Sequence, residues 1–198
     1  ISQWNDKSGF GNHAIQGTAL KQPVYNLAQL NSKSVLTFDG ASTMALPAAL
    51  YTIPNGANTI FIITKRLTEA STVVYALNMS VVGTQKYYIR LNNTAGQVLY
   101  LNATAGSGAV TSAGNTNTNH QIIMGRRSGT TQAVATNNAT ESTNTSATNE
   151  GSIDSANIGS LAGTSLFLIG NIAEILIYNR SLATTEIVQV NRYLSQKW

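Results

Sequence analysis

Eight carboxylates are spread over 198 residues, and that scarcity limits the chemistry the chain can host. Retaining hydrolysis of a glycosidic bond needs two carboxyl groups about 5 Å apart, and no two of the eight stand at a spacing that pairs them. Glu174, between Ala173 and Ile175, is the one carboxylate inside a convincing strand pattern. A solitary, half-buried Glu is more often held by an Arg or by backbone N–H groups than used in catalysis. His13 and His120 are the two imidazoles, and neither a Gly-x-Ser-x-Gly elbow, a phosphate loop nor a His/Cys cluster accompanies them. Zero cysteine excludes a thiol nucleophile, a thiolate metal site and a disulfide scaffold. The expectation is a protein that is not an enzyme.

Binding chemistry has one better candidate. Runs 86–91 and 97–102 flank a short turn at 92–96 and read as a β-hairpin. Pairing symmetric about that turn sends Tyr87, Ile89, Leu91, Leu99 and Leu101 to a core face. Tyr88, Arg90, Tyr100 and Asn102 then share the other face, with Tyr88 opposite Tyr100. Two phenol rings beside a cation and an amide form a platform on which a sugar could stack and be hydrogen-bonded. Cross-strand aromatic pairs also stabilise sheets by up to about 1 kcal/mol with no ligand present, so the platform stands against a purely structural use.

These residues need strands to hold them, and strand-like runs recur at 35–39, 59–64, 72–78, 86–91, 97–102, 120–126, 131–136 and 166–179, the last with a break expected at Gly170. They are rich in Ile, Val, Tyr and Thr and are bounded by Gly, Asn or Ser. Many short strands with little helix argue for a sandwich or barrel. The stretch 136–154, biased toward Asn, Thr, Ser and Ala, reads as a long loop or loose edge. One helix closes the chain, with Ile187, Val190, Leu194 and Trp198 on one face and Glu186 in its first turn. A Ser, Thr or Asp three residues before that Glu would complete a capping box; Ala183 stands there, so Thr184 or the backbone must cap.

Both ends of the chain carry a pattern. Trp4, Asp6, Ser8, Gly9, Gly11 and Asn12, followed by Pro23, Tyr25, Val35, Phe38, Asp39 and Gly40, resemble the N-terminal motif of the concanavalin A-like, laminin-G-like jelly rolls of bacterial surface and phage proteins. Gly170, Ile172, Ala173, Glu174, Tyr178 and Asn179, with Leu182, Glu186, Tyr193, Leu194 and Lys197, resemble its C-terminal one. The resemblance covers about the first forty and last thirty residues. It implies an all-β antiparallel sandwich of jelly-roll type with one short C-terminal helix, filling 1–198 as a single domain excised from a longer chain. Trp4, Phe38 and Trp198 are core candidates, Trp4 beside the terminal helix, and Asp6 and Ser8 are expected to shape an Asx-type turn. Some relatives are glucanases with a Glu-x-Asp-x-x-Glu strand, which is absent here. Others bind calcium at a sandwich rim through hard oxygen ligands, which makes Asp39, Glu150 and Asp154 weak calcium candidates.

Composition bounds the partners. The net charge is +4 and only 10% of residues are charged, so solubility rests on Asn, Thr, Ser and Gly. No clustered basic stripe is present, which argues against nucleic acid, and no run is long enough for a transmembrane helix. The function expected is non-catalytic binding of a cell-surface glycan or polysaccharide, as an adhesion or receptor-binding module of an extracellular, cell-surface or virion-surface protein. The alternative is a structural, decorating domain that contacts other subunits without binding glycan.

Overall fold

The computed structural model describes residues 1–52, 57–67, 73–81, 84–91, 98–102, 110–111, 118–145 and 153–198. In chain order its strands are β1 (Gln3–Trp4), β2 (Ala14–Ile15), β3 (Val24–Leu30), β4 (Lys33–Asp39), β5 (Met44–Ala45), β6 (Ala57–Arg66), β7 (Val74–Val81) and β8 (Thr84–Leu91). There follow β9 (Val98–Asn102), β10 (Val110–Thr111), β11 (Gln121–Ser128), β12 (Thr131–Thr136), β13 (Ser142–Asn144), β14 (Ser155–Ile158), β15 (Ile169–Tyr178) and the helix α1 (Thr184–Lys197). They form two antiparallel sheets. One has eight strands in the order β1-β2-β5-β14-β7-β8-β9-β10, the other seven in the order β13-β12-β11-β6-β15-β4-β3. The protein is a β-sandwich with a C-terminal helix.

Between the sheets, Leu36, Phe38, Ile60, Ile62, Ile123 and Val134 of the seven-stranded sheet meet Ala76, Leu77, Met79, Ile89 and Leu91 of the other. On the opposite face of the seven-stranded sheet, Val35, Phe61, Ile63, Met124 and Ala135 pack under Ile187 and Leu194 of α1. Strand β6 is therefore covered on both faces, which explains why Ile60–Ile63 runs apolar without alternation.

The helix begins without a side-chain cap. Ala183, at the N-cap, has no acceptor, and the hydroxyl of Thr184 does not supply one. Only the reciprocal half of a capping box is made: the Ala183 N–H donates to Glu186 Oε2 at 2.9 Å. Arg180 donates twice to the same carboxylate, at 2.8 and 2.6 Å. Those Arg180 bonds, with the Ala183 N–H, push the Glu186 carboxyl down to about 2.

One expectation changes and two are sharpened. No break occurs at Gly170, because β15 runs straight through it; the irregularity is a bulge between Ile172 and Glu174. The stretch 136–154 contains an edge strand, β13, paired to β12. Trp4 packs against the intersheet core and lines one groove with Tyr193, Lys197 and Trp198 at the end of α1, whereas Trp198 joins the cluster under the helix.

Candidate functional site

The outward face of the eight-stranded sheet gathers aromatic and amide side chains. Strand β7 carries a bulge between Tyr75 and Leu77, so Tyr75 pairs with Arg90 and Asn78 with Tyr88, while Leu77 pairs with core Ile89. Asn157 of β14 pairs in turn with Asn78. The rings of Tyr75 and Tyr88 meet edge-to-face at 5.3 Å between centroids, a geometry the ring quadrupole favours. The Arg90 guanidinium stands 5.9 Å from the Tyr88 ring centre. Over this cluster the chain 159–168 folds back, with Leu161 and Leu166 on the rings and the Ala162 N–H donating to Asn78 Oδ1 at 3.2 Å. Tyr88 is left 6% exposed, and burial, partly offset by Arg90, raises its phenol to about 12. Asn78 is fully buried, and its Nδ2 has no hydrogen-bond partner among the described residues.

The hairpin register differs from the symmetric pairing. Leu91 pairs with Val98, so Tyr100 stands opposite Ile89 and Asn102 opposite Tyr87, while Tyr88 faces Leu101. One extra residue in the connection shifts the pairing by one, and a one-residue slip exchanges the faces of a strand. Of the expected platform, Tyr88 and Arg90 therefore share a face, with Tyr100 and Asn102 one step out of register. Tyr88 is also covered, not open for stacking. Tyr75, Asn78 and Asn157 join the cluster unforeseen; only the bulge in β7 brings Tyr75 and Asn78 together, and a bulge leaves no mark in an alternation pattern.

The two terminal motifs build a second feature. Asp6 Oδ1 accepts the Ser8 N–H at 2.8 Å, and its Oδ2 accepts the Ser8 hydroxyl at 2.7 Å and the Asn12 N–H at 2.9 Å. This is the Asx turn expected of the motif, with Gly9 and Gly11 at positive φ. The Ser8 bonds hold the Asp6 carboxyl below the usual range. At the other end, Glu174 accepts from Lys197 Nζ at 2.9 Å, Tyr193 Oη at 3.3 Å and the Trp198 indole N–H at 2.5 Å. A Lys, not an Arg, pairs with it. Both carboxylates border one groove of about 1230 Å³, yet the oxygens of each are committed to donors of the fold.

Of the calcium candidates, Asp39 and Asp154 belong to no metal-ligating cluster among the described residues. Asp39 Oδ1 accepts the Ala41 and Ser42 N–H groups and the Ser42 hydroxyl at 2.7–3.0 Å, fastening the turn at Gly40. Asp154 is exposed at the start of β14, and Glu150 lies outside the described residues. No group of three or more His, Asp or Glu that could hold a metal occurs among the described residues. No described helix is long and apolar enough to cross a membrane.

No protein-family model and no curated protein matches the chain. Solved structures do. Trypanosoma rangeli sialidase in complex with sialic acid aligns at a TM-score of 0.74 and 15% identity, over 100% of this chain and 31% of that one. The Ruminococcus gnavus IT-sialidase CBM40 bound to α2,3-sialyllactose aligns at 0.65 and 15%, over 79% of this chain and 96% of that one. The chain thus spans about a third of the sialidase but matches nearly all of the CBM40. At such identities the likeness is one of fold.

Proposed function

We propose that the chain is a non-catalytic carbohydrate-binding module of the concanavalin A-like, laminin-G-like type, working in a larger extracellular, cell-surface or virion-surface protein. The observation that carries this reading is the Tyr75–Asn78–Tyr88–Arg90 cluster. It sets a partly exposed cation against the ring of Tyr88, and beside the rings a buried amide donor whose hydrogen is unspent among the described residues. A buried polar group left unpaired costs about 1–3 kcal/mol, which an enclosed water offsets, so contact with a glycan falls to Arg90, the partly exposed member of the cluster. The whole-module likeness to a CBM40 supports the same reading. Because its sugar and that of the sialidase complex are sialylated, sialosides are the first glycans to try, with Arg90 facing the carboxylate.

The test is a broad glycan array probed with the domain in multivalent form, with calcium and again with a chelator. Arg90→Ala is expected to weaken a specific signal at least about tenfold, in the range of a charge-assisted hydrogen bond. Tyr88→Phe keeps the buried ring and is expected to keep the fold, so a binding loss there reports the hydroxyl. Signal lost under chelation brings in calcium, with Asp39 and Asp154 the ligands to substitute. Silence across the array sinks the glycan reading. It would favour a decorating domain that contacts other subunits, a reading that the exposed Leu20, Val24, Tyr25 and Leu27 on and beside edge strand β3 support.

A further inference from the structure

Strand β15 pairs with β6 from Gly170 to Tyr178, but with β4 only from Ile169 to Ile172. Where β4 runs on through Val35 to Lys33 the two strands part, and a groove of about 1230 Å³ opens there, lined by Lys33 and Ser34 of β4 and by 173–178 of β15. It touches both cores. Trp4, Leu50, Ile175 and Ile177 line it and pack against the intersheet core. Leu176, Tyr178 and Trp198 line it and pack against the cluster under α1. The split leaves apolar surface uncovered: Ile60 and Ile62 of β6 are buried, yet their register partners Ile177 and Ile175 are only half-buried.

The charges around this groove select the sign of a ligand. Its two carboxylates are spent, Asp6 on Ser8 and Asn12 and Glu174 on Lys197, Tyr193 and Trp198. Lys197 thereby has its counter-charge. The other two lysines of the lining, Lys7 and Lys33, are exposed, and their ammonium groups make no hydrogen bond or ion pair among the described residues. An entering anion meets two unpaired cations and no unpaired carboxylate. The walls select the body of the ligand. Half-buried aliphatic side chains gain from a cover of hydrocarbon, and gain nothing from a hydroxyl that must first give up its water. Clefts that hold small molecules measure roughly 300–1,000 Å³, so a single chain has room.

We propose that the groove is a binding site for a single-chain amphipathic anion, of which a long-chain carboxylate is the simplest. Its hydrocarbon lies along Ile175, Ile177 and Leu50, and its head stays at the rim, toward Lys33 and Lys7. Ion pairs between exposed groups contribute little, whereas every methylene taken out of water adds to the affinity. Tail length therefore sets how tightly the ligand binds, and the lysines set its charge.

The site lies on the other sheet from Arg90, so it stands or falls apart from the glycan reading. Trp4 and Trp198 are the chain's two tryptophans and both line the groove, so indole emission reports on it directly. The test titrates the 198-residue chain with octanoate, decanoate and dodecanoate below micelle formation, read by that emission and by calorimetry. Dodecanoate is expected to bind saturably with a blue shift, and each methylene removed to weaken binding about fourfold. Lys7→Gln combined with Lys33→Gln should weaken dodecanoate about three- to tenfold at low salt and leave dodecanol unchanged. Ser34→Phe puts a ring in the opening and should abolish the shift at an unchanged Tm. The tail series and the lysine pair leave the walls intact, so they decide the matter even where Ser34→Phe does not fold. No saturable response to dodecanoate overturns the proposal, and so does binding that survives Ser34→Phe in a folded protein. Equal affinity for dodecyltrimethylammonium overturns the choice of an anion. A response to phosphatidylglycerol vesicles without one to dodecanoate overturns it in favour of a membrane surface.

Discussion

At the residue scale, two glycines show how closely the strands approach. A Cβ on Gly170 would lie 2.2 Å from the Lys65 carbonyl oxygen on β6, which is backbone and cannot swing away. Gly17 has nothing within 4 Å and no left-handed φ. Gly170→Ala is therefore expected to destabilise by about 1–3 kcal/mol, the usual cost of overpacking, while Gly17→Ala stays within about 0.5 kcal/mol. Urea denaturation of the two variants checks this; equal midpoints would mean that β15 and β6 separate more easily than their registered contact implies. Gly170 was legible as special from its place in the C-terminal motif, but it reads as a break. Its use is close approach, a property of the neighbouring strand that no local pattern encodes. The Asp6 turn is the opposite case. All its donors lie within six residues of Asp6, so residue types and spacing were enough.

At the scale of elements, the bulge at Ala173 decides where Glu174 goes. Strict alternation from Ile172, which faces the intersheet core, would return Glu174 to that core. The extra residue lets Ala173 and Glu174 both face α1, where Lys197, Tyr193 and Trp198 receive the carboxylate. The helix end is thus tied to the sheet, while its beginning is under-capped. Ala183 has extended backbone angles, φ −68° and ψ 156°, which a Ser adopts equally well. Ala183→Ser would complete the box with Glu186 and is expected to stabilise by about 0.5–2 kcal/mol. An unchanged thermal midpoint would show that Arg180 and the Ala183 N–H already hold the first turn. The helix, its face and the missing cap were readable because a 3.6-residue period is local. The seven strands expected before 166 all exist, within a few residues of their bounds. The short strands β1, β2, β5, β10, β13 and β14 escaped because two to four residues give no period to detect, and β3 because it is an edge with few buried side chains. The hairpin register failed for a related reason: it depends on the length of a connection, and one residue decides the face of every side chain beyond it.

At the scale of the molecule, scarcity of charge makes each titrating group count. Asp6, Asp39 and Glu186 all have carboxyls held below their usual range by hydrogen bonds. Their contribution is present above the unfolded carboxylate range near 4 and is lost as pH falls through the folded values. His120 acts in a higher window. Burial, with Lys65 adding to it, lowers its imidazole from 6.5 to about 4, and its Nε2 has no hydrogen-bond partner among the described residues. A depressed imidazole is neutral in the folded chain while the unfolded chain takes up a proton. Stability should therefore be flat above about pH 7, fall between 6.5 and 4 with a slope approaching one proton, and fall again below 4 as the carboxylates protonate. His120→Asn removes the titrating ring and the unpartnered nitrogen together. It is expected to flatten the upper window while leaving the drop below pH 4 intact. Urea unfolding of both proteins at half-unit pH steps separates the two windows. A wild-type slope that survives His120→Asn would assign the upper window to another group, and with it end the case that His120 is kept neutral by the fold.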